Sequence, residues 1–431
     1  MTDTGRSNPL SRFVRAAAKV EPNELNATLL SFLFIFALML AYNILKPVRD
    51  AMAPDWSDVE LAWLWTYNFV FSAVAVSIYG FAVSRLRLKY LVPSVYGFFA
   101  TSFVFFYLGS RSFDDTGFID KAFYLWLSLF SLFHISVFWS LMADVFSKTQ
   151  ALRLFAIIAS GASVGTIAGN TVAFALAKVL GTMNLMLIAA VILVSIVPVI
   201  GMLYRLKSTR LQAGAVDLAS EQDTIVSGNP FAGFTEFMRN PFLLGIALFI
   251  FLYTTIGSFA YFEIKNLLAD IERDARTQIW AGINLTVNSL AIVTAVFATG
   301  RIAVRFGLAT TLAMVPALVA VGFLVVAVNP VLAMVVVGWV VLKSGNYAIT
   351  RPGREMLYTL VDREDRFKAK PVIDIVVYRG GDALAGWAFA GMTVALGLGL
   401  GAVASIGAII GVVWAIVGVY LGRSYDRSLN L

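Results

Sequence analysis

Along the 431 residues a run of apolar side chains recurs at short intervals, each bounded by Lys, Arg, Asp, Gly or Pro. About 20 such residues in a helix cross the roughly 30 Å hydrocarbon layer of a bilayer. In lipid each backbone N–H and C=O must be paired within its own segment, which leaves helices as the natural reading of these runs. Spans are expected near 26–48, 59–83, 88–109, 120–146, 153–180 and 183–205, then near 240–263, 277–300, 306–327, 331–350, 371–398 and 401–422. The polar segment 207–238 lies halfway and reads as a linker. Hydrophobic residues make up 59% of the chain and charged residues 14%, against about 25% charged in soluble domains. A water-soluble enzyme is excluded.

The basic residues order the spans in the membrane. With a cytoplasmic N-terminus, 23 of the 33 Lys and Arg fall on the cytoplasmic side, eight fall outside, and Lys343 and Arg379 fall in mid-span. That bias places both termini in the cytoplasm, and in a bacterium the membrane is the inner one. It also accounts for the net charge of +7 without a nucleic-acid partner. The expected organisation is a tail over 1–25, a six-helix half over 26–206, a linker over 207–238, a second half over 239–422 and a tail over 423–431. Arg12–Pro22 is too polar for a cleavable signal, and Pro9–Val20 reads either as a basic interfacial helix or as an unstructured tail. With no Cys and one His, no metal and no cofactor is expected, and no nucleophile–base set for an enzyme is found. No phosphate-binding loop of the G-x-x-x-x-G-K-[ST] type occurs, so transport has to run on gradients or exchange.

Gly80-Phe-Ala-Val-Ser-Arg85 after the second span is echoed by Gly300-Arg-Ile-Ala-Val-Arg305 after the eighth. Two related six-span halves resemble the major facilitator fold, in which the halves rock about a central site. The expected fold is therefore all-α: a polytopic membrane protein of twelve transmembrane helices in two six-helix halves, major-facilitator-like.

Ionisable residues at membrane depth are costly and mark a pathway or its partners. Lys343 comes twelve residues after Val331, hence ~18 Å deep at 1.5 Å per residue. It should face a wet cavity and hold either an internal carboxylate or an anionic substrate, with Ser344, Gly345 and Asn346 keeping that face small and polar. Lys46, Arg49 and Asp50 end the first span; they serve an anion site or reach the outer headgroups. Arg351, Arg354 and Glu355 form a basic cluster at the end of span ten. Asp374, Arg379 and Asp382 lie in span eleven, where Asp374 makes either a latch with span ten or a substrate contact. Asp144, and Glu263 with Lys265, read as gate ion pairs or solvated helix ends, although carboxylates beside a wet cavity could instead carry protons. Gly161, Gly165 and Gly169 make a smooth groove for close helix packing. His134 reads as a packed, hydrogen-bonded residue.

Tyr347-Ala-Ile-Thr-Arg351-Pro-Gly-Arg354-Glu355-Met356-Leu-Tyr358, followed by Leu360-Val-Asp362 and Lys370-Pro-Val-Ile-Asp374, resembles the nucleotide transporter (ATP/ADP translocase) family of plastids and intracellular bacteria. Ile44-Leu-Lys46-Pro-Val-Arg49-Asp50, Phe138-Trp139 with Ala143-Asp144, and Arg153-Leu-Phe155 with Gly161 look like further stretches of it. The resemblance implies a twelve-span carrier that exchanges nucleotides, with Lys46, Arg49, Lys343 and Arg354 as phosphate-facing cations and Asp50 and Glu355 nearby. Arg351 stands where the family has Asp, Val145 where it has Glu, and Asp382 where it tends toward Lys. These differences widen the expected substrate to a nucleotide or another phosphorylated or anionic metabolite, Asn346 and Arg351 completing the binding set. Asp50, Asp144, Glu355, Asp374, Arg379 and Asp382 are the gating or coupling candidates. The carrier is expected to work as a monomer in the bilayer. Two alternatives stay open: a proton-coupled carrier of a different organic ion or lipid-like solute, and a non-transporting membrane scaffold.

Overall fold

The computed structural model describes residues 20–85, 87–211, 240–361 and 372–429. Among the described residues the regular elements are all helical. In chain order they are α1 (Leu25–Asp50), α2 (Asp58–Arg85), α3 (Leu88–Ser112), α4 (Gly117–Val145), α5 (Lys148–Leu180), α6 (Asn184–Leu206), α7 (Pro241–Leu267), α8 (Arg273–Thr294), α9 (Gly300–Val328), α10 (Leu332–Gly345), α11 (Tyr378–Ala390) and α12 (Leu400–Leu429). Eleven helices are long and apolar enough to cross a membrane. The twelfth is α11, which carries Arg379 and Asp382 and continues into π-turns at Val372–Val377 and Gly391–Ala395. The protein is an integral membrane protein of the expected all-helical class. The N-terminal residues 1–19 (with most of the stretch Pro9–Val20), linker residues 212–239, the segment 362–371 with Asp362 and Lys370, and residues 430–431 lie outside the described residues, as does the side chain of Asp374.

Helix ends follow local chemistry. Ser147 and Gln150 form a reciprocal capping box at the start of α5, satisfying N–H groups that have no partner within the helix. Asn240 accepts from Phe242 N and Leu243 N, with Pro241 in the first turn of α7 where its missing N–H costs nothing. In α9, Gly307 has φ +75°, a kink near the start of the membrane-crossing part Arg305–Val328, close to the span read near 306–327. Only glycine takes that conformation without strain.

The chain forms two compact units. The first contains residues 1–50, 74–225 and 277–282; the second contains 51–73, 226–276 and 283–431. The start of α2 thus belongs to the second unit, and the Thr277–Gly282 turns of α8 belong to the first. In the first unit α1 packs along α5, α6 and α4. The α1–α5 contact is as close as the glycine spacing suggests: a Cβ on Gly161 would sit 2.7 Å from Phe32 O, and one on Gly169 2.6 Å from Leu40 O. Helices approaching this closely gain dispersion contact that lipid tails cannot replace.

In the second unit α9 packs on α12 and α10, while α7 packs on α11, α12 and α10. Of the most apolar 18 residues of α7, 72% are buried, and no other span exceeds 50%. Polar groups on α7 therefore meet protein rather than lipid.

Candidate functional site

Lys343 lies near the end of α10, after which the helix loosens into a π-turn, Asn346–Thr350, and continues as the short helix Arg351–Leu357. Such single π-turns commonly mark functional sites. The ammonium of Lys343 sits 4.5 Å from the ring centre of Trp339 and 5.0 Å from that of Tyr253. It donates to Tyr253 Oη at 3.2 Å. Gly257 of α7 leaves the space: a Cβ there would lie 3.2 Å from Nζ. Among the described residues Lys343 makes no ion pair. Ring faces attract a cation, by about 2 kcal/mol when desolvated, but they do not cancel its charge. Of the two partners the sequence allowed for this ammonium, no carboxylate is found among the described residues.

α7 and α11 complete the surroundings. Tyr253 contacts the rings of Tyr378 and Trp414. Asp382 Oδ1 accepts from Ser258 Oγ of α7 at 3.4 Å. Asn346 is buried, and Arg379 is half-buried beside Tyr378 on α11. Arg354 is 9% exposed and lies 3.5 Å from Glu355, which it partly balances; it lies ~16 Å along the axis from Lys343 at 1.5 Å per residue. Arg351 is exposed. The structure thus brings Lys343 and Asp382 to one stretch of α7, keeps Asn346 buried three residues beyond Lys343, and sets Arg351, Arg354 and Glu355 farther along.

The basic group of the first unit is built differently. Arg49 Nε and Nη2 converge on Asp50 Oδ1 at 2.9 and 2.6 Å, Nη1 reaches Ser128 Oγ at 3.3 Å, and the guanidinium lies 5.1 Å from the Tyr124 ring centre. Asp50 is 2% exposed. Lys46 is half-buried one turn earlier on α1. Tyr42, another turn back, stacks on His134 at 4.5 Å. His134 bonds through Nδ1 to Phe130 O at 3.1 Å, the packed role read for it. Asp144 pairs with Lys207 at 2.9 Å, both side chains partly exposed.

A set of ion pairs absent from the sequence reading ties residues 51–73 into the second unit. Lys265 Nζ lies 3.0 Å from Asp58 Oδ1, both side chains under a tenth exposed. Asp58 also accepts from Thr393 Oγ1 at 2.8 Å and Asn266 Nδ2 at 3.4 Å. Asp55 binds Arg273 and Arg276, and Arg276 donates further to the carbonyls of Leu268, Ala269 and Ala51. The available signal was Asp55-x-x-Asp58 directly after span one, at the membrane face to which the topology also assigns Lys265, Arg273 and Arg276. Glu263, read together with Lys265 as a gate pair or a solvated helix end, is neither: it is completely buried, and neither of its oxygens has a hydrogen-bond partner among the described residues.

Among the described residues no three His, Asp or Glu side chains converge as a metal site requires. The two best-formed grooves, of about 500 and 610 Å³, lie away from Lys343 and are lined mostly by apolar side chains such as Leu29, Met202, Leu324 and Ile416.

No family model matches the chain, and no curated protein matches it in sequence. Solved structures match it along nearly its whole length. A bacterial homologue of the human lysosomal transporter Spinster, in an inward-facing and unoccupied conformation, superposes with a TM-score of 0.62 at 14% identity, covering 95% of this chain and 98% of that one. The nucleoside transporter NupG gives 0.65 at 13% identity, covering 93% and 99%. The POT family transporter PepTSo gives 0.63 at 14%, covering 95% and 99%. At these identities the likeness shows the fold alone, an all-helical fold that this chain shares with these solved transporter structures.

Proposed function

We propose that the protein is a secondary transporter that moves or exchanges a nucleotide or another phosphorylated or anionic metabolite by alternating access, from a bacterial inner membrane with both termini in the cytoplasm. The observation that carries this reading is the half-buried Lys343 ammonium, set against Trp339, Tyr253 and Gly257 with no carboxylate partner among the described residues. A charge at this depth has to be met by something, and an incoming anion meets it. A scaffold has no use for such a cation, and its simplest form would neutralise Lys343 with an internal carboxylate. Asn346 beside it supplies an amide. Arg354, Arg351, Lys46 and Arg49 are the further cations of the proposed binding set, suited to phosphate because guanidinium holds two oxygens at once and ammonium acts as a point charge. Asp50, Asp144, Glu355, Asp374, Arg379 and Asp382 make up the proposed gating set.

The test is a thermal-shift series on purified protein with ADP, ATP, inorganic phosphate, a sugar phosphate and a nucleotide sugar. A ligand that binds only the folded state raises its melting temperature. At least one phosphorylated anion is expected to do so, with the shift lost in Lys343→Gln. If none does while an uncharged or cationic solute stabilises the protein, the proposal fails.

A further inference from the structure

Glu263 poses a separate problem. It lies one turn before the end of α7, the most enclosed span, and is 0% exposed. Around it on the same helix are Ile256, Phe259, Ala260 and Phe262, all buried; Phe259 and Phe262 pack against Phe389 of α11, and Trp65 covers Phe262. Neither carboxyl oxygen has a hydrogen-bond partner among the described residues.

The charged groups with described side chains on the packed elements are accounted for; Asp374 of the Val372–Val377 turns lies outside them. Lys265, two residues along, points to Asp58 of α2, because neighbours two apart on a helix face different ways. Asp55 is held by Arg273 and Arg276. On α10, Lys343 lies at the level of Gly257, ~9 Å down the axis from residue 263 at 1.5 Å per residue. On α11, Asp382 is bound to Ser258 and Arg379 lies a turn before it. α12 carries no Asp, Glu, Lys or Arg before Arg423. An ionised carboxylate with no donor or counter-charge among the described side chains is costly to keep at this depth.

We propose that Glu263 is a proton-binding site of this transporter, loaded while the Asp58–Lys265 pair is closed and emptied to water when that pair separates. The buried pair and the Asp55–Arg273–Arg276 cluster lie at the same end of α7 as Glu263, and with both in place Glu263 is inaccessible to water. When they part, water reaches the carboxyl, the O–H bond breaks heterolytically, the electron pair stays on the carboxylate oxygen and the proton passes to water. Reclosure can occur only after a proton returns. Proton loading is thereby tied to the motion of this end. The proposal rests on the transporter reading and adds a second ligand to it; its test needs no cargo, so the two can fail separately.

The experiment is infrared difference spectroscopy of purified full-length protein. Subtracting Glu263→Gln from the native spectrum at neutral pH should leave a protonated-carboxyl carbonyl band; Glu263→Asp, which keeps the acid, should shift that band. In Asp58→Asn, which loosens the closed pair, the band should disappear at mildly alkaline pH while it persists in the native protein. A carboxylate stretch in place of the carbonyl band overturns the proposal. So does a band equally resistant to alkali with and without Asp58.

Discussion

Arg49 of the first unit and Lys343 of the second are both half-buried cations on a membrane-crossing helix, and they are satisfied in opposite ways. Arg49 has Asp50 as its immediate neighbour and places two nitrogens on one carboxylate oxygen. Lys343 has two aromatic faces and a phenol hydroxyl. The first cation comes to an anion already balanced; the second still has a full charge to offer. Depth in the membrane therefore does not by itself rank the cations of the proposed binding set, and the neighbouring carboxylate makes Arg49 the weaker member and Lys343 the stronger.

The contrast is broken most forcefully at Arg49. Arg49→Ala takes from the nearly inaccessible Asp50 its closest cation, and loss of one partner of a buried pair costs about 3–5 kcal/mol. Thermal melts should show that loss, and replacing both residues by apolar ones should recover most of it. If the single variant melts like the native protein, Arg49 is not the structural member of the comparison. Lys265→Ala comes next. Asp58 keeps Thr393 and Asn266, so the expected cost is about 2–3 kcal/mol, read as faster hydrogen exchange at the start of α2 and the end of α7. Lys343→Gln should do the reverse of Arg49→Ala. Stability should stay near native, while affinity for a stabilising phosphorylated anion falls at least tenfold, about 1.4 kcal/mol. The smallest effect belongs to Asp144→Asn. Its pair with Lys207 is partly exposed, and such pairs are worth less than about 1 kcal/mol; a larger drop in melting temperature would mark it as more than a solvated contact.

Much of the fold was legible because apolar length is a local property. Twelve stretches could be placed from their own composition, and Gly161, Gly165 and Gly169 announced the close α1–α5 contact because a four-residue spacing repeats on one helix face. The place of Lys343 near the middle of the span Leu332–Leu360 followed from counting residues. Its aromatic surroundings did not, since Tyr253 lies 90 residues away on a helix whose facing surface no single run reveals. Asp58 and Lys265 lie 207 residues apart and were invisible for the same reason. Glu263 was misread because adjacency in sequence suggested a shared fate with Lys265. A two-residue step on a helix turns one toward an ion pair and the other into a sealed apolar recess.

The π-turn at Asn346–Thr350 sets the phase between Lys343 and everything beyond it. It holds one residue more per loop of chain than the α-helix, and one residue is worth about 100° of rotation. Deleting a single residue there would let the segment rewind as regular helix, swinging Arg351 and Arg354 about a quarter-turn around the axis without altering any of their side chains. A chain of identical charges could thus be retuned by the length of one loosened coil alone, which makes this short stretch a dial for the azimuth of the basic cluster.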